Sequence, residues 1–475
     1  MNLHKITIRS IVSCLAVSLL LTIGACKKML DLKPIDQLDE KDIFLSVDKL
    51  ESAVLGAYQG WYPEYTLRIA SVMSDECRLG LQNSGVSSAG QNLFRWTYSS
   101  ADEEILDPWK NGYMVIDRVN RLLTGLNNVP VHNDTDKERL NHLKGELLAI
   151  RAYQHFDLYR LYGSGGIYKD NNYAVPYMRK SDIGSQPSRP NSATFFEFFW
   201  GDIATAESLI NEHSNIRIGL SAVYALHARA ALYTGKFDEA ISFATKVIDK
   251  YPLAGSQEFA DVWKDKSNAE VIFKLKRTNV STIRPGDIFY NIGADRILFA
   301  PALKLLDLYD QENDVRYSSW FENDPQLVNK GDLPNIIKKY EGDEAAQNRN
   351  DVKLFRTGEM FLIRAEAYLQ NGNRPAATDD LNRLRLARIT DYIPVRFKSI
   401  SSLKLAIEQE RYKELPYEGH RYFDLKRQEQ PIQRDEQDAE DNFLTLQANA
   451  KSYYLPIPQA EILSNNNIKP NNPGW

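Results

Sequence analysis

Residues 410–428, ERYKELPYEGHRYFDLKRQ, set Glu410, Glu414, Glu418, His420 and Asp424 among Arg411, Arg421 and Arg427. Two chemistries use such residues. Carboxylates and a histidine at helical spacing can hold a metal or exchange protons with a substrate. The same carboxylates facing arginines can form a charge network, because the planar guanidinium suits paired bonding to carboxylate. His420 and Asp424 lie four apart and share a helix face, yet a metal site needs three or more convergent ligands with outer support. The other histidines (4, 132, 142, 155, 213 and 227) form no HxxxH or HExxH pair. The stretch therefore reads as an ion-pair network at a helix corner, with Glu410, Glu414 and Asp424 facing Arg411, Arg421 and Arg427. Pro416 sets the break between its two helices at Leu415, and the second helix is expected over 418–427.

Other catalytic signatures are missing from the sequence. There is no GxGxxG or Walker loop and no GxSxG nucleophile elbow, so no cofactor is implied. Nothing marks a carboxylate pair of glycosidase spacing among the 63 acids. Binding has more support. The content of 25 tyrosines, 19 phenylalanines and 7 tryptophans is high; many belong to the core, yet secreted binding surfaces also use rings, which give apolar area at low entropy cost. Trp96 and Tyr98 follow a polar loop whose start carries Asp75, Glu76 and Arg78, and Tyr290 and Trp320 lie in or near a later insertion. Rings beside Asp, Arg and Asn can stack on a sugar and bond its hydroxyls. The candidate ligand contacts are Asp75, Arg78, Trp96, Tyr98, Tyr290 and Trp320. Trp109 and Tyr113, four apart in a helical stretch, read as core.

Helices must position these groups. In GELLAIRAYQHFDLYRLYG the apolar residues Leu148, Ala152, Phe156 and Tyr159 recur at helical spacing, and Gly163 ends the run. SAVYALHARAALYTGKFDEAISFATKVIDKYP is helix, turn and helix, with Ala240 at the close approach and Pro252 as a stop, as in a tetratricopeptide unit. EMFLIRAEAYLQNGNRPAATDDLNRLRLAR repeats the plan. The two units, 221–252 and 358–389, stand far apart in the chain, which argues against one continuous array. The expected fold is mostly α, a scaffold of helical hairpins with long irregular loops and a little β. Residues 74–108 read as a long exposed loop, 164–194 as irregular, and AEVIFKLKRT as a strand. Loops this long inside a compact domain are usually functional.

The N-terminus places the chain. Lys5 and Arg9 precede an apolar run of 13 residues, Ile11 to Ile23, a secretory signal too short for the roughly 20 residues that span a bilayer. Ile23-Gly24-Ala25-Cys26 looks like a lipobox, so Cys26 is expected to become the lipidated first residue after a signal over 1–25. Cys14 leaves with the signal, and Cys77 then has no disulfide partner. Loss of Lys5 and Arg9, with no acid, takes the formal charge from −5 to −7, which argues against nucleic acid. A tether over 26–45 and two regions, 46–215 and 216–475, complete the expected organisation.

These segments together resemble the SusD/RagB family of outer-membrane lipoproteins of the Bacteroidetes. CKKMLDLKP is similar to its mature start. WKNGYMVIDRVNRLL carries the family's Trp, Tyr and Asn along one helix as Trp109, Tyr113 and Asn120. Arg151, Ala152 and the run Arg160-Leu161-Tyr162-Gly163 resemble the following helix. Glu410, Arg411, Glu414, Leu415, Glu418, Gly419, Arg421, Asp424 and Leu425 match its signature, and LPIPQAEILSNNNIKPNNPGW its ending. The resemblance implies a non-catalytic protein that captures a nutrient, a glycan or alternatively a peptide, and docks over a TonB-dependent (SusC-like) outer-membrane transporter. It also implies that the 410–428 stretch is a fold element. A surface glycoside hydrolase is the rival from another class.

Overall fold

The computed structural model describes residues 40–83, 90–211, 214–343 and 345–475. The signal, the tether up to residue 39 and Cys26 lie outside the described residues. Twelve of the helices carry the argument: α1 Val47–Gln59, α2 Glu64–Met73, α3 Glu103–Gly125, α4 Asp134–Tyr162, α5 Ser192–Leu209, α6 Leu220–Tyr233, α7 Phe237–Ile248, α8 Thr357–Gln370, α9 Arg374–Arg388, α10 Ile400–Glu414, α11 Arg421–Arg427 and α12 Gln459–Ser464. The fold is mostly α, as the hydrophobic periods indicate.

Local sequence sets the helix ends. Asn133 and Asn191 accept the N–H of the third residue of α4 and α5, and Ser399 with Ser402 forms a reciprocal cap on α10. α10 ends at Glu414, with Leu415 as its cap, as Pro416 requires. The next helix starts at Arg421 rather than 418. Tyr417 and Gly419 take left-handed backbone there (φ 63° and 81°), so the corner needs three more residues to turn.

α3 pairs with α4, α4 with α5, α6 with α7, α7 with α8, and α8 with both α9 and α10. Gly112 lets α3 approach α4, since a Cβ there would sit 3.0 Å from Leu158. The two hairpins α6–α7 and α8–α9 match the expected units. They also touch through α7 and α8, so the array is continuous in space although broken in sequence. Residues 249–356 leave the array between them. The base of this excursion is closed by the antiparallel pair β2 (Val271–Leu275) and β4 (Val352–Arg356), while β1 (Cys77–Leu79) pairs with β3 (Phe299–Pro301). The expected strand near 270 is β2. One apolar core runs through the body, and a smaller cluster including Ala365, Ala377, Leu381 and Ile407 lies between α8, α9 and α10.

Candidate functional site

Three places bear on function: the charged corner at 410–428, the predicted ligand contacts, and an open cleft on α3.

The corner is a closed ion-pair network. Glu414 accepts from Arg316 (2.9 Å) and Arg388 (3.0 Å) and also from Arg356. Glu418 accepts from Arg356 (2.7 and 2.8 Å) and from Lys339 (2.6 Å). Glu410 accepts from Arg316 (2.7 Å) and Arg385 (2.6 Å). Burial pushes the Glu410 carboxyl up, but Arg316, Lys413 and Arg385 outweigh it and hold its pKa at about 2. Asp424 joins Arg411 and Arg427 (3.0 Å each), as expected from the sequence. The remaining pairing differs from expectation. Arg421 turns away to a paired contact with Asp75 (2.7 and 2.9 Å), and the partners of Glu410 and Glu414 come from distant segments. His420 is buried, and burial with the Arg229 and Arg411 charges drives its pKa well below the usual imidazole value. A neutral, enclosed imidazole among arginines has no route to a substrate.

The predicted contacts are mostly spent inside the protein, because residues 74–83 and 90–108 do not form an open loop. They carry β1, a short helix Gln91–Phe94 and the start of α3. Trp96 donates its indole N–H to the Met73 carbonyl (2.9 Å), and the Arg434 guanidinium lies 4.2 Å over its ring. Tyr98 donates to the Ser452 carbonyl (2.6 Å) and stacks on Trp475 at 5.6 Å. Trp320 is 0% exposed, with the Lys339 ammonium 3.8 Å above it. The expectation that Trp96, Tyr98 and Trp320 present faces to a ligand is thereby corrected: each ring is already covered. Arg78 is buried and bonded to the Pro301 carbonyl (3.0 Å) and Asn335 (3.1 Å). Asp75 is buried too, and its pKa sits at about 2, where Arg421 and Lys304 overcome the cost of burial. Its edge touches a groove of about 270 Å³ that Lys304, Tyr412 and Arg421 share. Tyr290 alone keeps an accessible flank, beside Asp295 and Lys330.

The cleft lies where the irregular segment 176–187 crosses α3 and meets α12. It measures about 450 Å³, within the range of small-ligand pockets. Trp109, Tyr113, Asp117 and Asn120 recur along one stripe of α3 and form its floor with Met114. Their polar atoms frame the walls. Tyr113 donates to the Pro176 carbonyl (2.9 Å), Asn120 to the Met178 carbonyl (2.9 Å), and Trp109 to Glu461 of α12 (3.3 Å). Ser181 donates to Asp117 (2.6 Å).

His155 fixes the far wall. Its Nε2 accepts the Met178 amide N–H (2.9 Å) and its Nδ1 faces the Arg151 carbonyl (2.8 Å), so the ring must be neutral with the proton on Nδ1. Burial lowers its pKa to about 3. Arg151 clamps Asp202 (2.6 and 2.7 Å), to which Tyr177 also donates (2.7 Å). What remains open to solvent is ring edge, methionine and Ile183, which is 87% exposed on the rim, with Lys110, Lys180, Asp182 and Glu461 around it.

Sequence reading placed Trp109 and Tyr113 in the core, and Trp109 is indeed only 5% exposed. Both nevertheless line the cleft. The signal for it was the segment AVPYMRKSDIGSQP, whose prolines forbid a helix and whose Ile183 has no apolar neighbour in the chain.

Known proteins agree with this architecture. The SusD family model matches residues 335–475, and a SusD-like model described as starch-binding associating with outer membrane matches residues 28–232. SusD-like protein P2 of Formosa agariphila is 23% identical over 524 positions, covering 97% of this chain and 98% of its own. A SusD superfamily protein from Bacteroides thetaiotaomicron superposes with a TM-score of 0.80 at 25% identity, over 90% of this chain and all (100%) of that one. A laminarin binding SusD-like protein superposes with a TM-score of 0.70 at 20% identity, over 91% of this chain and 100% of its own. With both of its ends matched by models of one family and its helical array superposing on that family's solved structures, the chain belongs to the SusD family.

Proposed function

We propose that this protein is a non-catalytic, lipid-anchored outer-membrane protein that binds an oligosaccharide in the α3 cleft and passes it to a TonB-dependent transporter. The observation that carries the site is the cleft itself. It presents an unspent apolar and aromatic surface, whereas most of the other candidate rings are sealed in the core. The sugar-binding class draws support from the starch-binding description of the matched model and from the laminarin-binding relative. The anchor rests on the lipobox at Cys26. No helix among the described residues is long and apolar enough to cross a membrane. Met114, Met178 and Ile183 favour a second reading, in which the cleft takes an apolar side chain of a peptide. Tyr290 is kept as an accessory contact.

Calorimetric titration with laminarin oligosaccharides, other neutral glycans and short peptides tests the site. Tyr113→Ala is expected to weaken binding by more than about 1 kcal/mol, the range for an aromatic anchor. Unchanged affinity in this variant would remove the cleft from the reading, and steady product release from any glycan would replace binding by hydrolysis. Cys26→Ala is expected to move the protein from the membrane fraction to the soluble one.

A further inference from the structure

A second basin, of about 390 Å³, lies between the segment 264–277 and residues 342–343 and 349–351, and its lining is almost wholly polar. Its carboxylates are already engaged. Asp265 accepts from Lys353 Nζ (2.6 Å), from the Asn350 side chain (3.2 Å) and from the Asp351 amide (2.9 Å). Asp351 accepts from the Arg277 amide (2.9 Å) and holds Lys274 Nζ at 2.8 Å, and Asp343 accepts the Ala346 amide (2.9 Å). Arg277 is bound in turn to Glu64 (2.6 and 2.7 Å).

The cations are not all used. Lys264 and Lys276 line the basin, are exposed, and have no side-chain partner among the described residues. With Arg349, whose guanidinium reaches Asn279, the described residues around the basin bring six cations against four carboxylates, Glu64 included. A concave surface with an excess of one sign concentrates the field it makes. This one is positive on a chain whose formal charge is −5.

We propose that this basin binds an anionic group of the ligand, the carboxylate of a uronic acid or a sulfate ester, so that the protein selects an acidic glycan. Lys264 and Lys276 supply the free charge, and Asn215 and Asn268 stand in the same lining to bond neighbouring hydroxyls. Lysine meets such oxygens as a mobile point charge, which fits carboxylate and sulfate alike. The proposal rests on the glycan reading above but on a different set of residues.

The test compares wild type, the double variant Lys264→Ala/Lys276→Ala and Tyr113→Ala by calorimetry. The probes are oligogalacturonate, a sulfated galactan oligosaccharide and neutral laminarin oligosaccharide, at about 50 mM and about 300 mM sodium chloride. Both lysines are exposed and lie outside the core, so the double variant folds. The expected result is an acidic probe bound about fivefold or more weakly by the double variant and at high salt, with laminarin affinity the same in both proteins. Preference for oligogalacturonate or for the sulfated probe identifies the anion. Equal affinity of wild type and double variant for both acidic probes, or no binding of either by wild type, overturns the proposal. Loss of acidic-probe binding in the double variant but not in Tyr113→Ala keeps the basin and discards the cleft.

Discussion

The corner at 410–428 and the cleft on α3 both spend their polar atoms inside the protein, yet they do opposite things. In the corner, Glu410, Glu414 and Glu418 meet Arg316, Arg356, Arg388 and Lys339 with no exposed surface on the Glu410, Glu414, Arg316, Arg388 and Lys339 side chains. Each carboxylate joins segments that are remote in sequence. In the cleft, the polar atoms of Tyr113, Asn120 and Trp109 are also spent, but on the walls, and the apolar parts of the stripe stay open. Charge density therefore marks where this chain is tied together. Unspent apolar surface framed by satisfied polar groups marks where it can bind.

The sharpest way to break that contrast is to cut the corner. Glu414→Gln leaves Arg316, Arg356 and Arg388 with one buried charge fewer to balance them. Removing one partner of a buried pair costs about 3–5 kcal/mol, so urea unfolding should show a loss of that size. Ligand affinity of the protein that remains folded should be unchanged. Binding lost with unfolding unaffected would make the corner a site and end the contrast.

Trp96→Ala comes next. A ligand-facing ring would cost affinity on truncation, whereas the buried ring seen here should cost about 3 kcal/mol of stability, through the cavity left and the lost contacts with Arg434 and the Met73 carbonyl. Thermal unfolding and titration of the same preparation separate the two outcomes. Reduced glycan affinity with an unchanged melting temperature would return Trp96 to the binding surface.

A pH experiment sharpens the comparison where residues 75 and 76 pack against the corner. Asp75 and Glu76 are adjacent and both buried, yet Asp75 has Arg421 and Lys304 while Glu76 has no cation at hydrogen-bond distance among the described residues. Burial pushes the Glu76 carboxyl up to about 8. The folded state then holds a proton that the unfolded chain releases near pH 4.5, so stability from this group is present at low pH and is lost as pH rises from about 5 to 8. The slope is about 1.4 kcal/mol per pH unit. Glu76→Gln, which cannot ionise, should lack that slope. Parallel stability curves for the two proteins between pH 5 and 8 would mean that Glu76 is ionised in place.

Much of this was legible in the sequence. The helical periods around Leu148–Tyr159 and the alanine-rich hairpins gave the helices, and Pro416 gave the corner its break. The network was readable as a type, from glutamates and arginines at helix ends, but not in its pairing. Arg316, Arg356 and Arg388 reach Glu414 through tertiary contacts that no local spacing encodes. The rings were misplaced for a related reason. Trp96 and Trp320 sit in polar stretches that look solvent-exposed, and side chains remote in sequence bury them, Arg434 over Trp96 and Lys339, Phe259 and Trp263 around Trp320. Trp109 and Tyr113 show the converse: an amphipathic stripe reads as core, and whether another segment seals it or leaves a cleft is decided much further along the chain, at Pro176 and Pro187.

The smallest expected effect is the one that isolates the cleft. Ile183 stands on the rim with most of its side chain in water, so it contributes almost nothing to folding, and Ile183→Ser should change stability by less than about 0.5 kcal/mol. An exposed apolar side chain over an aromatic floor can be covered when a ligand enters. Burying part of that side chain against a sugar face or an apolar peptide group is worth about 1 kcal/mol, so affinity should fall about fivefold while the melting temperature holds. A larger loss for an apolar peptide than for laminarin oligosaccharide would favour the peptide reading. An unchanged affinity for every ligand that Tyr113→Ala weakens would confine binding to the floor and leave the rim as framework.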